Sequence, residues 1–130
     1  MVKNYIALLL IIFSCQCSNK NEFKNNLFRY RSVSLKIIEQ FEEKAPLFLY
    51  SIHSDSNLID SFFEIKSFVL ENKIENLYIE SDSTIHYKRL KNYINKEEII
   101  YYYKNTYYQV PSKYIRLDSN LFYYESYSMD

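Results

Sequence analysis

The chain contains no glycine, although average usage would place about nine in 130 residues. Motifs that need a bare backbone are therefore excluded: phosphate-cradling loops, the dinucleotide-binding fingerprint and the Gly-x-Ser-x-Gly nucleophile elbow. A charge excess of either sign is also lacking, because 16 basic and 16 acidic side chains balance to a formal net charge of zero. Nucleic-acid binding proteins need a basic surface, so no nucleic-acid partner is expected.

Histidine and cysteine are scarce, which limits metal and thiol chemistry. The two histidines, His53 and His86, do not have the His-Glu-x-x-His spacing, so no zinc site, other metal site or cofactor is expected. The two cysteines, Cys15 and Cys17, both lie near the start of the chain. Thiol exchange needs an attacking thiolate and usually a resolving partner, so dithiol catalysis in the folded domain is not expected.

The first 15 residues have the layout of an export signal. Lys3 precedes an apolar run from Tyr5 to Phe13, which is too short to span a bilayer comfortably. The sequence Ile12-Phe13-Ser14-Cys15 resembles the lipobox of bacterial lipoproteins of the Bacteroidetes type, although Phe13 is bulky for its position. The resemblance implies that Cys15 becomes the lipidated first residue of the mature chain. An ordinary cleaved signal or an uncleaved anchor remains the alternative.

This interpretation divides the chain into a signal peptide at 1–14, a lipidated tether at 15–26 and a single domain at 27–130. The polar segment Ser18–Asn26 predicts a flexible tether, with a root-mean-square reach of roughly 17 Å for its nine residues. Attachment by two or more acyl chains is effectively stable. The membrane is therefore an expected partner, and the domain should lie close to its surface on the exported side.

Hydrophobic periodicity predicts an amphipathic helix from about 22 to 44, which Pro46 ends. The stretch Leu47–Ser81 has the length of one strand-helix-strand unit. Its predicted elements are a strand at Leu47–His53, a helix after the cap-forming residues Ser54–Asn57, and a strand at Glu75–Glu80. A helical connection between two apolar strands predicts that they pair in parallel, with a right-handed crossover.

The last third of the chain is less uniform. Thr84–Ile94 is compatible with another helix, and Asn95–Lys104 with either a helix or a strand, because cap residues and strand formers occur together. Lys113–Leu117 and Leu121–Glu125 are strand-like runs separated by a short turn, so an antiparallel hairpin is expected.

This order of elements, with the segment Val110-Pro111-Ser112-Lys113-Tyr114-Ile115, resembles the thioredoxin-like fold of membrane-anchored thiol-disulfide oxidoreductases. The resemblance implies that Pro111 begins the hairpin with a cis bond and that Ser112–Leu117 lies beside Leu47–Ile52. The Cys-x-x-Cys positions of the family fall on Asp55 and Leu58, so the domain would be a degenerate, α/β thioredoxin-like member. From the residues alone, an α+β fold with a helix on an antiparallel meander is the alternative.

The candidate site is a groove lined by His53, Asp55 and Pro111, because α/β sheets place binding sites in strand-to-helix loops. Helix capping is the competing interpretation of the loop residues. Nine tyrosines crowd the last third of the chain, and alternation along strands must turn some of them outward. Such tyrosines can form a recognition face, and the alternative is that tyrosine is simply a good strand residue. We expect a non-catalytic binding or accessory lipoprotein with an envelope protein partner. The alternatives are an immunity or inhibitor lipoprotein against an envelope-directed toxin and, less favoured, an enzyme that uses His53 and Asp55.

Overall fold

The structure, a computed structural model, describes residues 26–81, 84–90, 95–104 and 112–127. Within these residues the chain forms two α-helices and six strands. Helix α1 covers 26–41 and continues into a 3-10 turn, Glu42–Lys44; helix α2, Phe63–Glu71, follows a second 3-10 turn, Leu58–Ser61. The strands are β1 (Leu47–Ser51), β2 (Asn76–Ile79), β3 (Thr84–Leu90), β4 (Asn95–Tyr102), β5 (Ile115–Arg116) and β6 (Leu121–Tyr127).

The six strands form one sheet in the order β1-β2-β3-β4-β6-β5, and every neighbouring pair is antiparallel. The first four strands are a meander, and the hairpin of β5 and β6 adds to its far side with β6 next to β4. The molecule is therefore a mixed helix and sheet domain with an N-terminal helix and a C-terminal hairpin. Both of these features were expected from the sequence.

The two helices cover one face of the sheet and build the core with it. Ile85 and Tyr87 of β3 point to this face and are at most 1% exposed. The ring of Tyr30 on α1 makes edge-to-face contacts with Phe68 on α2 at 4.8 Å and with Tyr87 at 5.1 Å between centroids. Such aromatic contacts stabilise the fold beyond the hydrophobic free energy that comes from burying the rings. The three rings join both helices to the middle of the sheet.

The opposite side, which we call the open face, carries the alternate residues of the strands. The pairing register places these side chains together there: Phe48, Tyr78, His86, Lys88, Glu98, Ile100, Tyr102, Phe122 and Tyr124. No described helix packs against this face, so its residues must satisfy one another and the solvent.

The prediction of a parallel pair between β1 and β2 is wrong. The strands are antiparallel, with Ser51 paired to Asn76 and the Ile52 N–H donating to the Glu75 carbonyl at 2.8 Å. The physical reason is that α2 begins at the other end of the sheet, where the ring of Phe62 meets Phe41 at 5.3 Å. Residues 52–62 run from the end of β1 to the opposite end of the sheet. Helix α2 then returns the chain to the end where β1 finished.

The placement of the hairpin expected from the thioredoxin-like resemblance is also wrong. Ser112–Leu117 was expected beside Leu47–Ile52, but β5 and β1 form opposite edges of the sheet, with four strands between them. The structure therefore does not confirm a thioredoxin-like arrangement, and the sheet has the helix-on-meander organisation that was the alternative. Pro111 lies outside the described residues.

The helix considered for Thr84–Ile94 is a strand over its described part, Thr84–Leu90. The period-two pattern decides this, because Ile85 and Tyr87 are buried against the helices while His86 and Lys88 lie on the open face. The ambiguous segment Asn95–Lys104 is also a strand, to Tyr102. Cross-strand pairing of its isoleucines and tyrosines stabilises a strand by more than its cap-like start would stabilise a helix.

One buried hydrogen bond fixes α1 on the sheet. The hydroxyl oxygens of Ser34 and Tyr87 are 2.7 Å apart, and both residues are at most 1% exposed. Burial raises the pKa of the Tyr87 phenol, so this group stays protonated and the pair stays neutral. A buried hydroxyl without its partner loses the hydrogen bond and cannot recover it from water.

We expect Ser34→Ala and Tyr87→Phe each to lower the free energy of unfolding by about 1–3 kcal/mol, the cost of an unpaired buried polar group. The double variant should lose little more than the worse single variant, since it leaves no orphaned hydroxyl. Urea unfolding of the four proteins measures this coupling. Losses that simply add in the double variant would show that the hydroxyls do not interact.

Candidate functional site

The loop after β1 contains two of the three residues predicted to form a site, and the structure gives this loop a capping role. Its His53 and Asp55 side chains are exposed. The Ser51 N–H donates to Asn57 Oδ1 at 2.9 Å, and the Asn57 N–H donates to Asp60 Oδ2 at 2.8 Å. The second bond is the main reason why the pKa of Asp60 is lowered. These bonds close the 3-10 turn that leads to α2.

Of the three residues of the predicted groove, the structure describes His53 and Asp55. His53 and Asp55 follow β1 at one edge of the sheet, whereas β5, the first described strand after Pro111, lies at the other edge. The predicted neighbourhood of β1 and β5 is therefore wrong, and the groove, whose third residue Pro111 lies outside the described residues, stays a prediction.

A different cluster lies on the open face around His86. Its Nε2 atom is 2.9 Å from Thr84 Oγ1 and 3.6 Å from Glu80 Oε2, and its Nδ1 atom is 2.5 Å from Glu98 Oε1. The Tyr78 ring stacks on the imidazole at 4.5 Å between centroids. The sequence indicated His86 only as one member of an insufficient set of zinc ligands. The alternation of Thr84, His86 and Lys88 along one strand was the signal that could have located this cluster.

The bonds from Thr84 through His86 to Glu98 have the order of a hydroxyl-imidazole-carboxylate triad. Thr84 is only 1% exposed, so a substrate carbonyl has no approach to its hydroxyl. The chain of bonds instead ties β3 to β4 across the sheet. The described part of the chain contains no group of three or more His, Cys, Asp or Glu residues placed to hold a metal ion.

A groove of about 730 Å³ adjoins this cluster at the β1 edge of the open face. It is lined by Pro46, Leu47, Phe48, Asn76, Tyr78, Ile79, Glu80 and Lys88. Phe48 is 67% exposed, and its ring lies 5.2 Å from the Tyr78 ring. An apolar floor with a cation and a carboxylate at its sides is suited to binding another molecule.

Lys88 and Tyr78 form a polar pair at this groove. Lys88 Nζ lies 5.1 Å from the centroid of the Tyr78 ring, a cation-π distance. Burial lowers the pKa of Lys88, but the hydrogen bond with Tyr78 and the charge of Glu98 outweigh it, so the net pKa is raised. Burial also raises the pKa of Tyr78. At neutral pH the groove therefore presents an ammonium group beside a neutral phenol.

A second aromatic group continues the open face toward β6. The Tyr114 ring lies 4.9 Å from the Tyr124 ring, and Lys113 Nζ lies 4.6 Å from the Tyr124 centroid. Burial, assisted by the negative charge of Glu98, raises the pKa of Tyr114 to about 12. The expectation that some C-terminal tyrosines turn outward is confirmed by Tyr102 and Tyr124, which share this face.

No protein-family model, curated protein or solved structure matches the chain. In the described residues, no helix has both the length and the apolar character needed to cross a membrane.

Tyr114 should make the domain sensitive to alkali. Its pKa is raised from 10.0 to about 12 on folding, so the neutral phenol is favoured in the native state. The resulting stability is complete below about pH 10 and is lost as the pH rises through about 12. We expect Tyr114→Phe to lose less stability than the wild type over this range. Urea midpoints followed by circular dichroism would measure this difference in stability. Parallel pH profiles of the urea midpoint for the two proteins would contradict the prediction.

Proposed function

We propose that the chain is an exported lipoprotein, anchored through Cys15, whose domain is a non-catalytic binding module for a protein partner. The anchor is supported by the apolar run before Cys15 and by its resemblance to a lipobox. The observation that carries the binding role is the groove beside Phe48 on the open face.

The chemistry of the open face is suited to a protein surface. Tyr78, Tyr102, Tyr114 and Tyr124 offer large, stiff rings with polar tips, the side chains in which recognition surfaces are enriched. Charges of both signs accompany the rings, with Lys88 beside Tyr78 and the carboxylate of Glu98 held by His86. A face of mixed charge with exposed aromatic area is complementary to an amphipathic peptide segment.

The backbone of β1 offers a second kind of contact. Among the described strands β1 pairs only with β2, so its outer edge carries backbone donors and acceptors without a strand partner. An extended segment of a partner can add to such an edge, while pockets on the sheet select its side chains. Phe48 lies on this strand and its side chain enters the groove, so backbone pairing and side-chain recognition would act together.

Neither the cluster around His86 nor the loop after β1 favours catalysis. The hydroxyl that a triad would use, on Thr84, is buried. Exposed His53 and Asp55 lie in a loop whose hydrogen bonds serve capping. The thioredoxin-like resemblance carries no part of the proposal, because Asp55 and Leu58 stand where that family has cysteines.

Photo-crosslinking in intact envelopes tests the binding surface. A benzophenone amino acid at position 48 should give a discrete product with one envelope protein, since Phe48 is 67% exposed in the groove. The matched control is position 115, where Ile115 is 61% exposed at the opposite edge of the sheet and should give none. Equal products from both positions, or none from position 48, would contradict the assignment.

A further inference from the structure

The helix layer has its own exposed apolar residues, on the side away from the sheet. Phe28 on α1 is 77% exposed and Phe63 on α2 is 82% exposed, the two highest values among the large hydrophobic residues described. Seven residues further along each helix, Leu35 is 55% exposed and Leu70 is 56% exposed. A spacing of seven returns to the same side of a helix, so each helix carries an outward apolar stripe.

The two phenylalanines belong to one surface. Both line a groove of about 240 Å³ between the helices, together with Ser32, Lys36 and Glu64. Ion pairs connect the helices there: Arg29 Nη2 lies 2.6 Å from Glu71 Oε2, and Lys36 pairs with Glu64. Apolar rings beside internally neutralised charges are a poor match for water and a good match for the boundary between lipid headgroups and acyl chains.

The chain outside the described residues indicates what covers this surface. Described α1 starts at Asn26, 11 residues after Cys15, and Phe28 lies in its first turn. A polar tether of that length has a root-mean-square reach of roughly 18 Å. An anchored domain therefore meets the bilayer at a high effective concentration, and a contact too weak to recruit a free protein is enough to orient a tethered one.

We infer that the helix layer docks on the lipid bilayer, with Phe28 and Phe63 inserted at the headgroup boundary. This inference rests on the proposed anchor at Cys15 and adds to it a defined orientation. The helices and the open face are on opposite sides of the sheet, so docking by the helices turns the groove at Phe48 away from the membrane. The ion pairs balance the local charge, so the contact should not require anionic lipids.

The absence of tryptophan from the chain allows each position to be probed separately. The full chain with Cys17→Ser would be coupled at Cys15 to a maleimide phospholipid in phosphatidylcholine vesicles, so that the anchor is present whether or not cells attach one. Three single variants, Phe28→Trp, Phe63→Trp and the control Phe48→Trp, report on the two sides of the sheet. All three positions are exposed, and unchanged circular dichroism and melting would verify folding.

Vesicles with brominated acyl chains should quench the emission from positions 28 and 63 by about half or more, because an interfacial helix buries its apolar face about 5–10 Å deep. Emission from position 48 should be unchanged. Quenching at none of the positions, equal quenching at all three, or quenching at position 48 alone would overturn the inference. Fatty-acid labelling in cells tests the anchor itself, so failure of the anchor and failure of the docking are distinguished.

Discussion

The packing of both helices on one face of the sheet is the constraint on which the rest of this structure depends. The rings of Tyr30, Phe68 and Tyr87 lock two helices onto one face, and the bond between Ser34 and Tyr87 fixes α1 in place. The described chain supplies no second helical layer. The open face must therefore combine apolar area with satisfied polar groups, which is what the arrangement around His86 achieves.

The same constraint gives the molecule two different sides. The helix side carries exposed Phe28 near the start of α1, where the predicted tether joins the domain, and exposed Phe63 at the start of α2. The open face carries tyrosines, His86 and Lys88 beside the outer edge of β1, which has no partner among the described strands. If the helix layer faces the lipid, the open face is turned toward protein partners. The two proposals are therefore geometrically compatible, because no residue is needed for both contacts.

Patterns among neighbouring residues predicted several of the helices and strands. Helix α1, strands β1 and β2 and the hairpin of β5 and β6 follow from periodicity, Pro46 and turn-forming residues. The direction of β2 could not be predicted in this way. It depends on residues 52–62 running to the other end of the sheet before α2 begins, a path set by tertiary contacts such as that of Phe62 with Phe41.

The candidate site was harder to predict because it is assembled across strands. Glu80, His86 and Glu98 belong to different parts of the meander, and only the register between β3 and β4 brings the last two together. The loop residues His53 and Asp55 were predicted to act together because they are close in sequence. Their proximity reflects a turn that needs caps, whereas pairing across strands leaves no local signature except alternation.

We propose that the domain works at a membrane surface to which Cys15 ties it. Metabolic labelling with a fatty-acid analogue tests this claim directly, with Cys17→Ala as the matched control for Cys15→Ala. We expect the wild type and Cys17→Ala to carry the label in the membrane fraction and Cys15→Ala not to carry it. Equal labelling of Cys15→Ala, or an unlabelled wild type, would contradict it.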